Sequence, residues 1–462
     1  MIYDYKITNY KFDLKNIVIY SNDYNYQFKL GIFLLGTHAF LVYYHRHNFF
    51  SLNAIVASLE REEIFTNVDF YFAKARNELV NKIEELLKTY HKIFVGISFY
   101  STQIFDIYSL VQTLRDKFKE KIFIITGGAH PTGDPSGTLK MGFDVAVVGE
   151  GEATVIELMK AIITNKPFKG VKGIAYLSEN AEYVYTGKRD LIDLDKYPPF
   201  PTKNTRYGAI EITRGCPYRC YFCQTPYILG ATPRHRSIEM ISKYAQELKN
   251  YYGDLTDIRF ITPNAFSYGS IDGRTLNLEI LEDLIRHIRN ILGEKGRIFL
   301  GSFPSEVRPE HVTQDTLDLV LKYADNDNIT IGAQSGSQKL LDLCHRGHSV
   351  RDITNAVDLT LKNNLKINVD FIFGLPGEDD EDVELTITLM KNLSEKGARI
   401  HTHSFLPLPQ TPFAKESAGK INKKYIKEIK NLISRGVAFG NWKKQEQLSS
   451  KITNYFKNKR FE

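Results

Sequence analysis

Cysteine is scarce in this chain: four in 462 residues, and none before position 216. A disulfide framework is thereby excluded, because three of the four lie within eight positions and cannot staple distant parts of a fold. Long apolar runs are missing as well. No uninterrupted stretch approaches the roughly 18 residues of a membrane-spanning helix. The opening MIYDYKITNYKFDLKN lacks the apolar core of a secretory signal, so placement in the cytoplasm is the expectation. Neither a short repeat nor a low-complexity tract is present, and 43% hydrophobic against 25% charged residues is the balance of a chain that buries a core. Acidic residues run short only at one end. From Ala414 to Glu462, 13 Lys and Arg stand against 4 Asp and Glu, so the net +6 is carried there and the rest of the chain is slightly acidic. That basic segment reads as a solvated helix face, with contact to RNA phosphates as the alternative.

What the chain does have is strand-then-helix grammar, twice over, the pattern of parallel α/β architecture. In the first part SLNAIVASLERE (51–62) has helical spacing. The runs VDFYF, KIFVGISF (92–99), KIFIITGG (121–128), DVAVVG (144–149) and GIAYL read as strands, with helices near 76–90, 103–118 and 152–164 between them. An open, doubly wound, Rossmann-like sheet is the expectation for residues 1–178. LDKYPPFP (194–201) cannot continue a helix or a strand, which marks 179–205 as a Pro-rich linker. Six strand–helix units follow over 206–413, with strands at GAIEIT (208–213), DIRFIT (257–262), GRIFLG (296–301), ITIGA near 330, KINVDFIFG (366–374) and ARIHTHSF (398–405). Six units fall short of the eight of a closed barrel, so a partial (β/α)6 barrel is expected. Residues 414–462 are left as a basic helical tail capping the barrel mouth.

The stretch RGCPYRCYFCQTP places Cys216, Cys220 and Cys223 in a C-x3-C-x2-C loop just past the first barrel strand, at the end where barrels carry chemistry. Soft thiolates select zinc or iron and sulfur. Structural zinc needs a fourth ligand, for which only Cys344 and scattered histidines are at hand. Three thiolates suit a [4Fe-4S] cluster with one iron left open. The triplet, with the aromatic Phe222 before its last cysteine, resembles that of the radical S-adenosyl-L-methionine (SAM) superfamily, in which SAM chelates the open iron. The resemblance extends along the barrel. NAFSYG (264–269), with Asn264, follows the second strand where the family binds the SAM amino group, although TPN stands in place of the usual GGE. IGAQSGS (331–337) resembles the ribose-binding segment and offers Gln334 and Ser335. DFIFGLPGE (370–378), with Phe373, resembles the fifth-strand motif beside the adenine. Arg346 is the candidate partner of the SAM carboxylate, and Cys344 reads as a small buried hydrophobe.

In the first part, the loops FYSTQ, GGAHPTGDP and GEGEAT follow strands at the edge where open α/β sheets hold cofactors. This part resembles the cobalamin (B12)-binding domain that precedes the barrel in a branch of radical SAM enzymes. The candidates carried over are Ser98, Tyr100, Gly127, Gly128, Gly149 and, on the GGAHP loop, His130. The D-x-H-x-x-G signature that supplies a histidine to cobalt is absent before residue 178, which implies cobalamin held without that histidine; a scaffold domain that binds nothing is the alternative. Together the resemblances imply a cobalamin-dependent radical SAM methyltransferase acting on an unactivated carbon through a 5′-deoxyadenosyl radical. An external low-potential electron donor would supply the cluster, and the substrate, a small molecule or a macromolecule, is not specified. Alternatives are a cyclase or rearrangement enzyme with the same cofactors, a tRNA methylthiotransferase, whose second cysteine triplet has no counterpart in residues 1–215, and a non-catalytic cobalamin sensor.

Overall fold

The computed structural model describes residues 38–458; the polar opening of the chain, counted above within the first domain, and the last four residues lie outside the described residues. Strands β1 (His38–Tyr43), β2 (Val68–Ala73), β3 (Ile93–Ser98), β4 (Ile122–Gly127), β5 (Val145–Val147), β6 (Ile174–Leu177) and β7 (Tyr183–Tyr185) form one sheet in the order β2-β1-β3-β4-β5-β6-β7. The first five are parallel and the last two antiparallel. IFVGIS of β3 is buried at every position, as a central parallel strand covered on both faces must be. On one face Leu79 and Ile83 of the helix Arg76–Leu86 join Leu110 and Leu114 of the helix Ile104–Phe118. On the other, Leu52 and Val56 of Phe49–Glu60 meet Val155 and Met159 of Glu152–Ile163. The strand order reverses between β1 and β3, and the crevice beyond their carboxyl ends is where such sheets bind ligands.

This sheet continues past residue 178. Leu177 pairs with Tyr183 across a turn that puts Ala181 at φ 58°, so β7 occupies part of the segment expected to be linker. A three-residue hairpin strand with an exposed face offers too little periodicity to be seen in sequence.

The second domain begins with β8 (Ile210–Glu211) and β9 (Thr213–Arg214), the latter antiparallel to β10 (Arg234–His235). Parallel strands follow: β11 (Asp257–Ile261), β12 (Arg297–Phe299), β13 (Asn328–Gln334), β14 (Lys366–Phe373), β15 (Arg399–Ser404) and β16 (Ala438–Gly440). They pair as β12-β11-β8 and β13-β14-β15-β16. A parallel bridge between Val307 and Ile331, with Thr330 N donating to Gly301 O at 2.8 Å, joins the two groups into one curved, open barrel wall. Along β14 and β15 the period of two is strict: Val369, Phe371, Phe373 and Ile400 pack outward under the helices Val350–Lys362 and Asp380–Glu395, while Asp370, Ile372, His401 and His403 face the lumen.

The segment after 413 is more than a basic helical tail. It contributes β16 as a further strand on the barrel edge, and its helix Trp442–Asn458 is anchored at both ends. Trp442 lies in the barrel core, whereas Tyr455 is 1% exposed in the core of the first domain and its hydroxyl donates to Asp134 Oδ2 at 3.0 Å. Helical charge patterning hid the apolar stripe that docks this strap.

Candidate functional site

The two domains face each other across a cavity of about 1160 Å³. One wall is built from the carboxyl ends of β3, β4 and β5 and includes Ser98, Tyr100, Gly127, Gly128 and Gly149. The opposite wall holds Cys216, Cys220, Phe222, Cys223 and Arg346. Residues singled out on unrelated grounds, 67 or more positions apart, thus meet in one space.

The cysteine loop is held by its backbone. Cys216 N donates to Gly230 O at 3.1 Å, Tyr221 N to Cys344 O at 3.0 Å and Cys223 N to Cys220 O at 3.0 Å. All four cysteines are free thiols. Burial pushes the Cys216 and Cys223 thiols up, so their protons must leave when a metal centre takes the sulfurs. Arg346 reaches into the loop: its Nη1 donates to Cys220 Sγ at 3.6 Å and its Nη2 to Gly332 O at 2.9 Å. Cys344 is 1% exposed among Leu375, Phe405 and Phe413, and burial pushes its thiol up to about 12. Three thiols opening on a cavity, with the fourth packed in an apolar cluster, fit a cluster that keeps one iron free better than a closed tetrahedral zinc site.

On the facing wall, backbone is left bare. Gly128 has φ 98°, and a Cβ there would stand 2.7 Å from Ser98 Oγ and 3.2 Å from Phe99 O, so only glycine permits the close pass of the two loops. Gly149 has no atom within 4 Å of its would-be Cβ and opens on the cavity, a surface that accepts a broad flat ligand such as a corrin. His130 does not belong to this wall. It is fully buried, bonded through Nδ1 to Ser101 Oγ (2.9 Å) and stacked on Phe99, because the short helix Ala129–Gly133 turns it into the core. The loop after β1, illegible in the sequence, supplies Arg46 and His47 to the cavity.

The side chains of three further candidates are committed outside the cavity. Asn264 donates through Nδ2 to His311 Nδ1 (2.6 Å) and accepts Arg308 N on Oδ1 (3.2 Å). Ser335, 1% exposed, sits 3.2 Å from Thr386 Oγ1 on the outer helix. Phe373 points outward onto Tyr425, with ring centroids 4.5 Å apart. At the same strand ends Thr262, Pro263 and Ile372 line the cavity instead. Gln334, at φ 73° on a bulge of β13, folds its amide over Gly332 beside the Arg346 guanidinium.

A buried charge network joins the walls. Arg214, 8% exposed and two residues before Cys216, has Glu152 Oε1 at 2.8 Å, Glu211 Oε2 at 2.6 Å and Glu150 Oε1 at 3.3 Å. Arg234 also pairs with Glu150. The GEGEAT loop, singled out for its glycine, therefore holds the root of the cysteine loop through its two glutamates. Gln224, next to Cys223, adds bonds to Ala129 O (3.3 Å) and Pro409 O (2.9 Å).

Beside the barrel, Glu378 of the LPGE turn accepts from Tyr425 Oη and Gly374 N, each at 3.0 Å, yet burial pushes its carboxyl up to about 7. With the folded value above the unfolded one, its contribution is full below about pH 4.5 and is lost as pH rises through 7. Glu378→Gln is therefore expected to gain on the wild type by about 1.4 kcal/mol per pH unit between pH 5 and 7. Urea unfolding at pH 5.0 and 7.5 measures this; an equal difference at both values contradicts it.

Comparison with known proteins agrees with this architecture. Residues 39–159 match the family described as B12 binding domain, and residues 210–390 match the Radical SAM superfamily. The chain is 26% identical over 355 residues to the uncharacterized methyltransferase PH0819 of Pyrococcus horikoshii, covering 74% of this chain and 72% of that protein. It is 26% identical over 430 residues to the uncharacterized protein MJ0966 of Methanocaldococcus jannaschii, covering 91% and 84%. Among solved structures, the radical SAM methyltransferase TsrM of Kitasatospora setae, with cobalamin and a [4Fe-4S] cluster bound, superposes with a TM-score of 0.65 at 16% identity, over 83% of this chain and 75% of that one. Among the described residues no helix is long and apolar enough to cross a membrane. With a B12-binding domain followed by a radical SAM domain, the chain belongs to the cobalamin-binding radical SAM enzymes.

Proposed function

We propose that this radical SAM enzyme transfers a methyl group from SAM to a carbon of its substrate, with Cys216, Cys220 and Cys223 holding the [4Fe-4S] cluster and the Ser98, Tyr100, Gly127, Gly128 and Gly149 wall holding cobalamin. The observation that carries the reading is the shared cavity: both sets of residues line it. When bound, the cluster supplies the electron that cleaves SAM and the cobalamin carries the methyl group, so the protein's task is placement. Arg346 keeps a fixed positive charge between Cys220 and Gly332, within reach of a carboxylate entering beside the triplet. Gly149 and Gly128 let a flat ring approach backbone, and the strap helix, through Gln445, helps close the cavity against water. The remaining thiol, Cys344, does not suffice for a second cluster, so electrons come from an external low-potential donor. Free thiols throughout agree with the cytoplasmic placement in this reading.

Incubation of the reconstituted enzyme with a metabolite extract, a low-potential reductant and methyl-deuterated SAM tests it. A product carrying the label is expected, with 5′-deoxyadenosine and S-adenosylhomocysteine in roughly equal amounts. An unlabelled product formed alongside 5′-deoxyadenosine excludes methyl transfer and favours a cyclase; neither nucleoside favours a sensor.

A further inference from the structure

The lumen face of β14 and β15 carries a cluster that the cofactors above do not use. Asp370 and His401 are register partners on neighbouring strands, and His403 is two residues on, so all three side chains leave the sheet on one side. Their ligand atoms lie within 4.8 Å of one another. His401 Nδ1 is 3.0 Å from Asp370 Oδ1 and 3.1 Å from His403 Nε2. From metal–nitrogen bonds of about 2.1 Å, neighbouring ligands of an octahedral ion stand about 3.0 Å apart and those of a tetrahedral ion about 3.4 Å apart.

Hydrogen bonding alone accounts poorly for this convergence. An imidazole nitrogen has a single in-plane position, either one N–H or one lone pair. If His401 Nδ1 donates to Asp370, it has nothing to offer His403 Nε2 except a shared proton. If it accepts from His403, it faces the carboxylate lone pairs. A cation among the three atoms satisfies every one of them. The surroundings add to the argument: Glu306 lines the same cavity as His403. Carboxylates facing one partly desolvated lumen favour a positive charge there.

The ligands are also held in place. Phe439 of β16 stacks on His401 with centroids 4.4 Å apart and planes at 10°, and the Gln445 amide lies 3.4 Å from His403 Nδ1, leaving Nε2 turned inward. We propose that Asp370, His401 and His403 bind one divalent first-row transition cation, with water or a substrate oxygen completing its shell. Two imidazoles favour iron or zinc over magnesium or calcium, and manganese, which the carboxylate also suits, serves as the spectroscopic probe. Because His403 lines the cavity, the open coordination positions face the space shared with the cysteine triplet.

Mn²⁺ titration of the tag-free, cluster-reconstituted full chain, followed by the EPR signal of free Mn²⁺, tests this independently of any methyl transfer. One ion per chain is expected. His403→Gln and His401→Asn should each weaken binding at least tenfold while iron content and circular dichroism stay at wild-type values. Electron spin-echo measurements on the wild type should show imidazole nitrogen coupling to the bound ion, a readout that survives if a variant fails to fold. Absence of a stoichiometric site, wild-type affinity in folded variants, or bound Mn²⁺ without nitrogen coupling would each overturn the proposal and leave the three residues as a hydrogen-bonded relay.

Discussion

Arg214→Ala is expected to destabilise the enzyme by about 3–5 kcal/mol, the range for removing one partner from a buried ion-pair network. Arg214 is 8% exposed, and its loss leaves Glu152, 5% exposed, without a cation within bonding distance, while Glu150 keeps Arg234. Although burial opposes it, Arg214 holds the Glu152 carboxyl below its usual range. That contribution is therefore present above the unfolded carboxylate value and disappears as pH falls through the folded one. Function is expected to fail with stability, because Arg214 connects directly to Gly215 and Cys216 and ties them to the facing domain. Arg214→Lys should recover only part of the loss, as an ammonium cannot span three carboxylates with the guanidinium's planar fork. Urea unfolding, read at the first transition since two domains need not melt together, and iron per chain give the measurement. A wild-type midpoint with full iron would mean that the network is dispensable.

The second large effect separates two buried thiols. Cys220→Ala is expected to take iron from about four per chain to near zero, and with it SAM cleavage. Cys344→Ala should keep the iron and cost roughly 1 kcal/mol for the small void it opens. Cys344 is the more buried of the two, at 1% against 4%, so loss of core packing predicts the opposite ranking. Iron and acid-labile sulfide analysis after anaerobic reconstitution decides the order; iron loss in Cys344→Ala would make that thiol a ligand.

The strands and the cysteine triplet were legible in the sequence because each is a local signal: β-branched runs and a fixed spacing of three thiols. Side-chain direction was not. DFIFG has apolar residues on both faces of β14, so nothing in it separated inward Ile372 from outward Phe373. Asn264, Ser335 and His130 are polar residues beside strand ends and so resembled ligand contacts. In the fold the side chains of Asn264 and Ser335 and the Nδ1 of His130 are taken up by buried backbone and side-chain partners. Long-range charge pairing was beyond reach for another reason: Glu152 and Arg214 are 62 positions apart, and no periodicity links them. The H-x-H spacing in β15 sets two histidines on one face of the strand. Only the register with β14 brings Asp370 alongside.

The strap helix has a consequence in time. Translation delivers the chain from its amino end at about 5–20 residues per second. Every strand of both domains except β16 is complete by Ser404, while Tyr455, which fastens the strap to the first domain, emerges later than any residue lining the cavity. For some seconds on the ribosome the cavity therefore has its cysteines and its glycine-edged wall, joined through Arg214 and Glu152, but not the strap helix that spans both domains. The order of the chain thus delivers the far anchor of the strap last, after every residue that lines the cavity.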